Sequence, residues 1–197
     1  LKKEDLPSCV IAYDSRHNSR RFAGRAAAAL AARGVRVHLF EELTPVPLLS
    51  FAVRYLRCDA GVMFTASHNE ASYNGFKVYD ATGCAILSDA ALSLCAFVEA
   101  EQELSTRFPD EEALTARGFI RPVSREVREA YQDAVLKLSI LTPPAPLKVV
   151  YSPLHGAGLR SVRQVLMAMP NIEVHLVAAQ EHPDGAFPTV TRPNPED

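Results

Sequence analysis

Short apolar runs alternate with helix-like segments over the first third of the chain, and this alternation restricts the fold more than any other feature. The runs are β-rich, whereas the segments between them are alanine-rich or carry an apolar face at helical spacing. In chain order the predicted elements are a strand over 9–13, a helix ending at Gly34, a strand over 35–40, a helix over 45–56 and a strand over 60–64. Thr44 is the expected cap of the second helix, with Pro45 as its first residue. This order predicts an α/β fold, a sheet with helices on its faces.

The next part of the chain extends this domain. Residues 75–80 alternate as a strand, and 83–87 are expected to pair with it as a hairpin. Helical spacing recurs over 88–103 and over 124–140, where Ser124 is the expected cap, while 108–122 is polar and weakly patterned.

A proline-rich run over 142–146 marks the best domain boundary, because it cannot continue a helix. We therefore predict one domain over 1–141 and the start of a similar second domain over 142–197. The second domain should begin with a buried strand over 147–151, a tight turn into a helix ending at Met169, and a strand over 172–178. The tail from Glu181 should be extended and mobile unless something covers it. Apolar surface over 147–178 should favour self-association.

The chemically distinctive residues follow the predicted strands. Ser67 lies in a small-residue turn directly after the 60–64 strand, and Arg16 lies just past the first strand, where ligands of α/β sheets gather. Lys77 lies on the strand that leaves the serine turn, so its ammonium can return to Ser67. A serine-hydrolase interpretation is disfavoured, because no G-x-S-x-G elbow is present and the side chain of the neighbouring His68 should point away.

The run Thr65-Ala66-Ser67-His68-Asn69, followed by Tyr73-Asn74-Gly75-Phe76-Lys77, resembles the active-site serine loop of the α-D-phosphohexomutases, the phosphoglucomutase and phosphomannomutase superfamily. Further stretches resemble the branch with phosphopentomutases, glucose 1,6-bisphosphate synthases and bacterial phosphoglucomutases. These stretches cover 151–158, 183–190 and 193–196, while 13–16 resembles the superfamily as a whole. The resemblance implies phosphohexomutase domain I, a mixed sheet flanked by helices, plus the first part of a similar domain II.

The resemblance also implies the roles of site residues. A phosphorylated Ser67 would donate its phosphoryl group to a sugar monophosphate, interconverting the 1-phosphate and 6-phosphate of glucose or mannose through a bisphosphate, which also serves as activator. Ser67, through its phosphate, would be one ligand of Mg²⁺, with the other ligands outside this chain. Lys77 would act in proton transfer. His68, counted with Ser67 and Lys77 as a catalytic residue, would shape the loop and hydrogen-bond the phosphate. Substrate or phosphate contacts are expected of Arg16, Asn69 and Asn74; for Arg16, a structural ion pair is an equal alternative.

The resemblance leaves other functions open. A pentose phosphate substrate and glucose 1,6-bisphosphate synthesis fit the same fold, and a non-catalytic phosphosugar-binding scaffold is an alternative of another class. Glu70 stands where the family usually has proline, which should loosen the loop and add a negative charge. The family comparison suggests an N-terminal fragment without the metal loop and later domains, so we expect the chain alone to be inactive. His155, with Gly156 and Gly158, should support structure rather than bind an anion.

The net charge, the cysteine spacing and the length of the apolar runs bear on which partners and which compartment are expected. With 21 Lys plus Arg against 23 Asp plus Glu, the net charge of −2 gives no reason to bind nucleic acid or an anionic membrane. The 4 cysteines have no C-x-x-C spacing, which favours reduced thiols. No apolar run approaches the ~20 residues of a membrane span. A cytoplasmic protein is therefore the expectation, and the resemblance implies that its partner is a hexose or pentose phosphate.

Overall fold

The structure is a computed structural model that describes residues 6–100, 109–140, 145–194 and 196. Its strands are β1 Ser8–Tyr13, β2 Arg36–Leu39, β3 Ala60–Phe64, β4 Phe76–Asp80, β5 Ile120–Pro122, β6 Leu147–Tyr151 and β7 Ile172–Leu176. Its α-helices are α1 Ser19–Ala32, α2 Val46–Tyr55, α3 Ser88–Ala100, α4 Glu111–Ala116, α5 Arg125–Lys137 and α6 Leu159–Ala168. A 3₁₀ turn, Ala178–Gln180, follows β7.

The first five strands form one sheet in the order β4-β3-β1-β2-β5. All neighbours are parallel except β4, which runs antiparallel to β3. The predicted mixed sheet flanked by helices is confirmed. Every residue of the central strand β1 is buried, because it has a strand on each side and helices over both faces.

Alternate residues of β1 enter two different cores. Cys9 and Ile11 pack with α1, which approaches the sheet closely through small residues such as Ala23 and Ala27. Val10 packs on the opposite face with residues of α2 and α5, among them Leu48, Leu49 and Val127. This period of two is the expected pattern of a strand between two helical layers.

The fifth strand and α4 were not predicted. They fall in the segment that the sequence left unpatterned, and β5 is only three residues long, with Ile120 as its one buried side chain. It pairs with β2, a partner remote in sequence, which a local pattern cannot indicate. The expected hairpin partner over 83–87 is reduced to a single bridge between Tyr79 and Ala85. The predicted end of the 88–103 helix and part of the domain boundary lie outside the described residues.

Of the two predicted helix caps, the one at Thr44 is wrong and the one at Ser124 is confirmed in position. Thr44 does not cap α2: its hydroxyl donates to the carbonyl of Glu42 at 2.8 Å, and Pro45 occupies the N-cap position. Ser124 does occupy the N-cap position of α5, but its side chain makes no capping hydrogen bond. Both helices are instead stabilised by apolar residues buried against the sheet.

The second unit pairs β6 with β7 in parallel, and α6 connects them. The expectation of a buried β6 is wrong, because Leu147 and Val150 are 49% and 73% exposed. The tail was expected to be extended and mobile unless something covers it, and the structure shows it covered, because Phe187 of this tail is buried. Exposed apolar surface is present in this unit as predicted; the self-association expected from it stays a prediction. Among the described residues, no helix combines the length and apolar character required to cross a bilayer.

Candidate active site

The candidate site lies at the carboxyl ends of β1 and β3. The chain leaves β3 into the turn that carries Ser67 and returns as β4, closed by a hydrogen bond from the Thr65 amide to the Gly75 carbonyl at 3.0 Å. The loop after β1 lies beside it, joined where the Asp14 amide donates to the carbonyl of Phe64 at 3.1 Å. Parallel pairing of β1 with β3 therefore brings the two polar loops together.

Ser67 is exposed and holds an uncommon backbone conformation, with φ of 55°. Its amide donates to the hydroxyl of Thr65 at 2.9 Å, which ties the turn to the end of β3. The Lys77 ammonium donates to Ser67 Oγ at 2.8 Å. The prediction that Lys77 returns to Ser67 is confirmed in geometry: β4 runs antiparallel to β3, with Lys77 paired to Met63.

Arg16 holds the serine loop through its backbone. Its two terminal nitrogens donate four hydrogen bonds, between 2.6 and 3.1 Å, to loop carbonyls at positions 67, 69, 70 and 73. Only 1% of the Arg16 side chain is exposed, and burial lowers the pKa of its guanidinium, an effect that the Asp14 carboxylate offsets in part. We therefore interpret Arg16 as a positioning residue; its predicted contact with a phosphate stays a prediction.

Asn74 closes the other end of the loop. Its amide nitrogen donates to the carbonyl of His17 and to the hydroxyl of Ser19, both at 2.9 Å, and its amide oxygen accepts from the Gly75 amide at 2.8 Å. The loop is thus exposed, and hydrogen bonds hold its backbone at both ends; the loosening expected from Glu70 stays a prediction. Glu70 contributes its carbonyl to this network while its side chain is exposed.

His68 and Asn69 are exposed at the tip of the loop. The roles predicted for them stay predictions. Thr65 was not predicted as a site residue. The signal was available, because a threonine two residues before a turn position often accepts a backbone hydrogen bond.

A cleft of about 310 Å³ opens beside Ser67. Its first wall comes from the β1 and β3 loops and includes Asp14 and Thr65; its second wall comes from 153–158 together with Phe187 and Pro193. The second wall is held by His155, whose Nδ1 and Nε2 lie 3.0 Å from the carbonyl of His182 and 2.9 Å from the hydroxyl of Thr189. This agrees with the expected structural role of His155.

The described part of the chain offers few side chains that could act as ligands of a metal ion. No group of three or more His, Cys, Asp or Glu side chains there is arranged to hold a metal. Mg²⁺ requires near-octahedral oxygen coordination, and a single serine oxygen or its phosphate cannot supply it. The residues present therefore do not form a magnesium site by themselves.

Two family models match this chain. The model for phosphoglucomutase/phosphomannomutase, alpha/beta/alpha domain I, matches residues 1–105, more than half of the chain. The chain belongs to this family. The model for alpha/beta/alpha domain II of the same family matches residues 129–197.

Similar proteins agree with the family. A phosphoglucomutase from Staphylococcus epidermidis is 41% identical over 194 residues, which cover 97% of this chain and 35% of that protein. A solved structure from Thermus thermophilus, described as a candidate phosphomannomutase, has a TM-score of 0.78 at 30% identity and covers 96% of this chain and 40% of its own. A family protein from Burkholderia thailandensis has a TM-score of 0.70 at 25% identity, covering 94% and 38%. The chain spans about a third of the length of the curated relatives it matches.

Proposed function

We propose that Ser67 carries a phosphoryl group and transfers it to a hydroxyl of a sugar monophosphate. In the full-length protein, meaning this chain together with the remaining domains of its relatives, the result is interconversion of the 1-phosphate and 6-phosphate of glucose or mannose. The observation that carries the proposal is the 2.8 Å hydrogen bond from the Lys77 ammonium to an exposed serine oxygen at the mouth of a cleft. A cation at this oxygen is what both a serine phosphate and a departing serine oxygen require.

The transfer conserves atoms and charge. The sugar hydroxyl oxygen attacks phosphorus, and the bond from phosphorus to Ser67 Oγ breaks. The hydroxyl loses one proton and Oγ gains one, so the serine leaves the step as a neutral hydroxyl. Lys77 is within reach to hold a proton at Oγ and to offset the charge that develops there. The bisphosphate then reorients, and its other phosphoryl group returns to Ser67. The loop stays in place because Arg16 and Asn74 hold its backbone.

The remaining assignments belong to the same proposal. His68 and Asn69 would contact the phosphoryl group, and Mg²⁺ would bind the Ser67 phosphate with its other ligands supplied from outside the described residues. A sugar 1,6-bisphosphate would phosphorylate the serine and so act as activator. The chain alone should not catalyse isomerisation, because its described residues supply no magnesium ligand beyond the Ser67 phosphate, which is too few to hold the ion. The cytoplasmic location predicted from the sequence remains part of this proposal.

The test is phosphate incorporation from glucose 1,6-bisphosphate, followed by intact mass and peptide mapping of the full-length protein. We expect one phosphoryl group on Ser67, and none in Ser67→Ala. Ser72→Ala is the matched control, because Ser72 is exposed in the same loop and should leave incorporation unchanged. Incorporation into Ser67→Ala would refute the proposal.

Turnover and sugar-phosphate binding assays of the same full-length protein, read together with the mass data, separate the alternatives. Turnover of ribose phosphates in preference to hexose phosphates would assign a phosphopentomutase, and net accumulation of a hexose bisphosphate would assign a synthase. Binding of a sugar phosphate without any phosphate on Ser67 would support the phosphosugar-binding scaffold.

A further inference from the structure

Arg16 has a contact that the site described above does not use. Its guanidinium carbon lies 5.2 Å from the ring centroid of Phe187, which belongs to the segment after β7. The ring is 5% exposed, and the Arg16 side chain is almost entirely buried, so this is a cation–π contact away from water. The Arg16 Nε is buried without a hydrogen-bond partner among the described residues.

The position of the Phe187 ring is set by the second unit and its tail. Phe187 itself has φ of 49°, an unusual conformation for a bulky side chain, and its amide donates to the carbonyl of Asp184. The Asp184 amide donates in turn to the carbonyl of His155, whose ring holds the tail on both sides of Phe187.

Gly185 allows this segment to approach the β1 loop. A Cβ at Gly185 would lie 2.7 Å from the His17 amide nitrogen and 2.8 Å from the Ser15 carbonyl oxygen, so any side chain there would force the backbones apart. The Phe187 ring is thus brought against Arg16 by backbone contacts.

We propose that Phe187 is a positioning residue for the serine loop, acting through Arg16, so that docking of the second unit's tail keeps Ser67 in its reactive geometry. The expected effect on kcat rests on the proposed function, whereas the expected effect on the loop's conformation does not. The ring covers a guanidinium that holds four carbonyls of the loop. If the ring is lost, water reaches the buried guanidinium. That water then competes with the four loop carbonyls for the N–H donors of Arg16.

Amide hydrogen exchange over residues 66–75 tests the structural part in the chain itself. Phe187→Leu removes the ring and keeps an apolar side chain, and we expect about tenfold faster exchange in the loop. Phe119→Leu is the matched control, because Phe119 also lies under an arginine, Arg117 at 5.4 Å, in the segment between α4 and β5. It should change loop exchange by less than about twofold. If Phe187→Leu does not fold, Phe187→Met replaces it.

A double variant tests the route through Arg16. In an Arg16→Lys background, Phe187→Leu should add less than about a twofold further change in loop exchange, because the clamp is already weakened. A full tenfold effect in that background, or unchanged exchange in a folded Phe187 variant, would overturn the proposal.

Kinetics of the full-length protein test the catalytic consequence. Phe187→Leu should lower kcat about tenfold with KM little changed, whereas Phe187→Tyr, which keeps an aromatic ring, should have the kcat of the wild type. An unaltered kcat beside a loosened loop would also overturn it. A wild type that takes no phosphate on Ser67 contradicts the proposed function alone, since the exchange data still decide the positioning.

Discussion

Replacing Arg16 by methionine should destabilise the chain strongly, and the structure allows the magnitude to be estimated. The substitution removes four hydrogen bonds between 2.6 and 3.1 Å from a charged donor, each worth about 1.5–3 kcal/mol when considered alone. Against this stands the desolvation of a guanidinium whose side chain is 1% exposed, a cost of several kcal/mol that the variant no longer bears. The lowered pKa of Arg16, caused first by burial, is consistent with this cost. We expect a net loss of about 3 kcal/mol in the free energy of unfolding.

The assay is urea unfolding of the chain, followed by circular dichroism, with the midpoint and the slope fitted separately. A loss of about 3 kcal/mol lowers the midpoint at constant slope and lowers the melting temperature by roughly 6–12 °C in a chain of this size. Arg20→Met is the matched control, because Arg20 forms a bidentate pair with Glu111 at 2.7 and 3.1 Å with 47% of its side chain exposed. It should cost less than about 1 kcal/mol. An Arg16→Met loss no larger than that of Arg20→Met would refute the clamp.

Three further predictions concern catalysis, thiol reactivity and pH. Lys77→Met in the full-length protein should lower kcat about 100-fold with a smaller change in KM, because the cation contacts Ser67 Oγ; steady-state kinetics check this, and a raised KM at constant kcat would contradict it. A water-soluble disulfide reagent should modify the exposed Cys84 and Cys95 in the native chain and all four thiols after unfolding; burial raises the pKa of one protected thiol, that of Cys9, to about 12. Hydrogen bonds from the amide and hydroxyl of Ser8 hold the pKa of Asp59 below its ordinary value. The Asp59 carboxylate therefore stabilises the folded chain at pH values above its unfolded pKa of about 3.9, and this stabilisation is lost as pH falls through the lower pKa of the folded state. Asp59→Asn should therefore flatten the acid limb of the stability curve, and an unchanged limb would contradict the assignment.

Local patterns were sufficient for most of the first sheet. β1, β2 and β3 and the helices between them were predicted within a few residues, because each is a continuous run whose period or composition depends on the element alone. The return of Lys77 to Ser67 was also predictable, because the two residues lie on one turn and the strand that leaves it. β5 was not predictable, since three residues gain a partner only from β2, remote in the chain.

The sequence by itself determined the order of elements, the position of the serine turn after β3, and the lysine that faces it. Tertiary structure alone decided what Arg16 binds. A guanidinium suits carbonyl oxygens as well as phosphate or carboxylate, and its carbonyl partners lie 51 to 57 residues away in the chain. The same holds for the tail, whose sequence favours an extended and mobile segment. It is covered because Gly185 and Phe187 meet the β1 loop, a contact between residues about 170 positions apart that no local pattern can indicate.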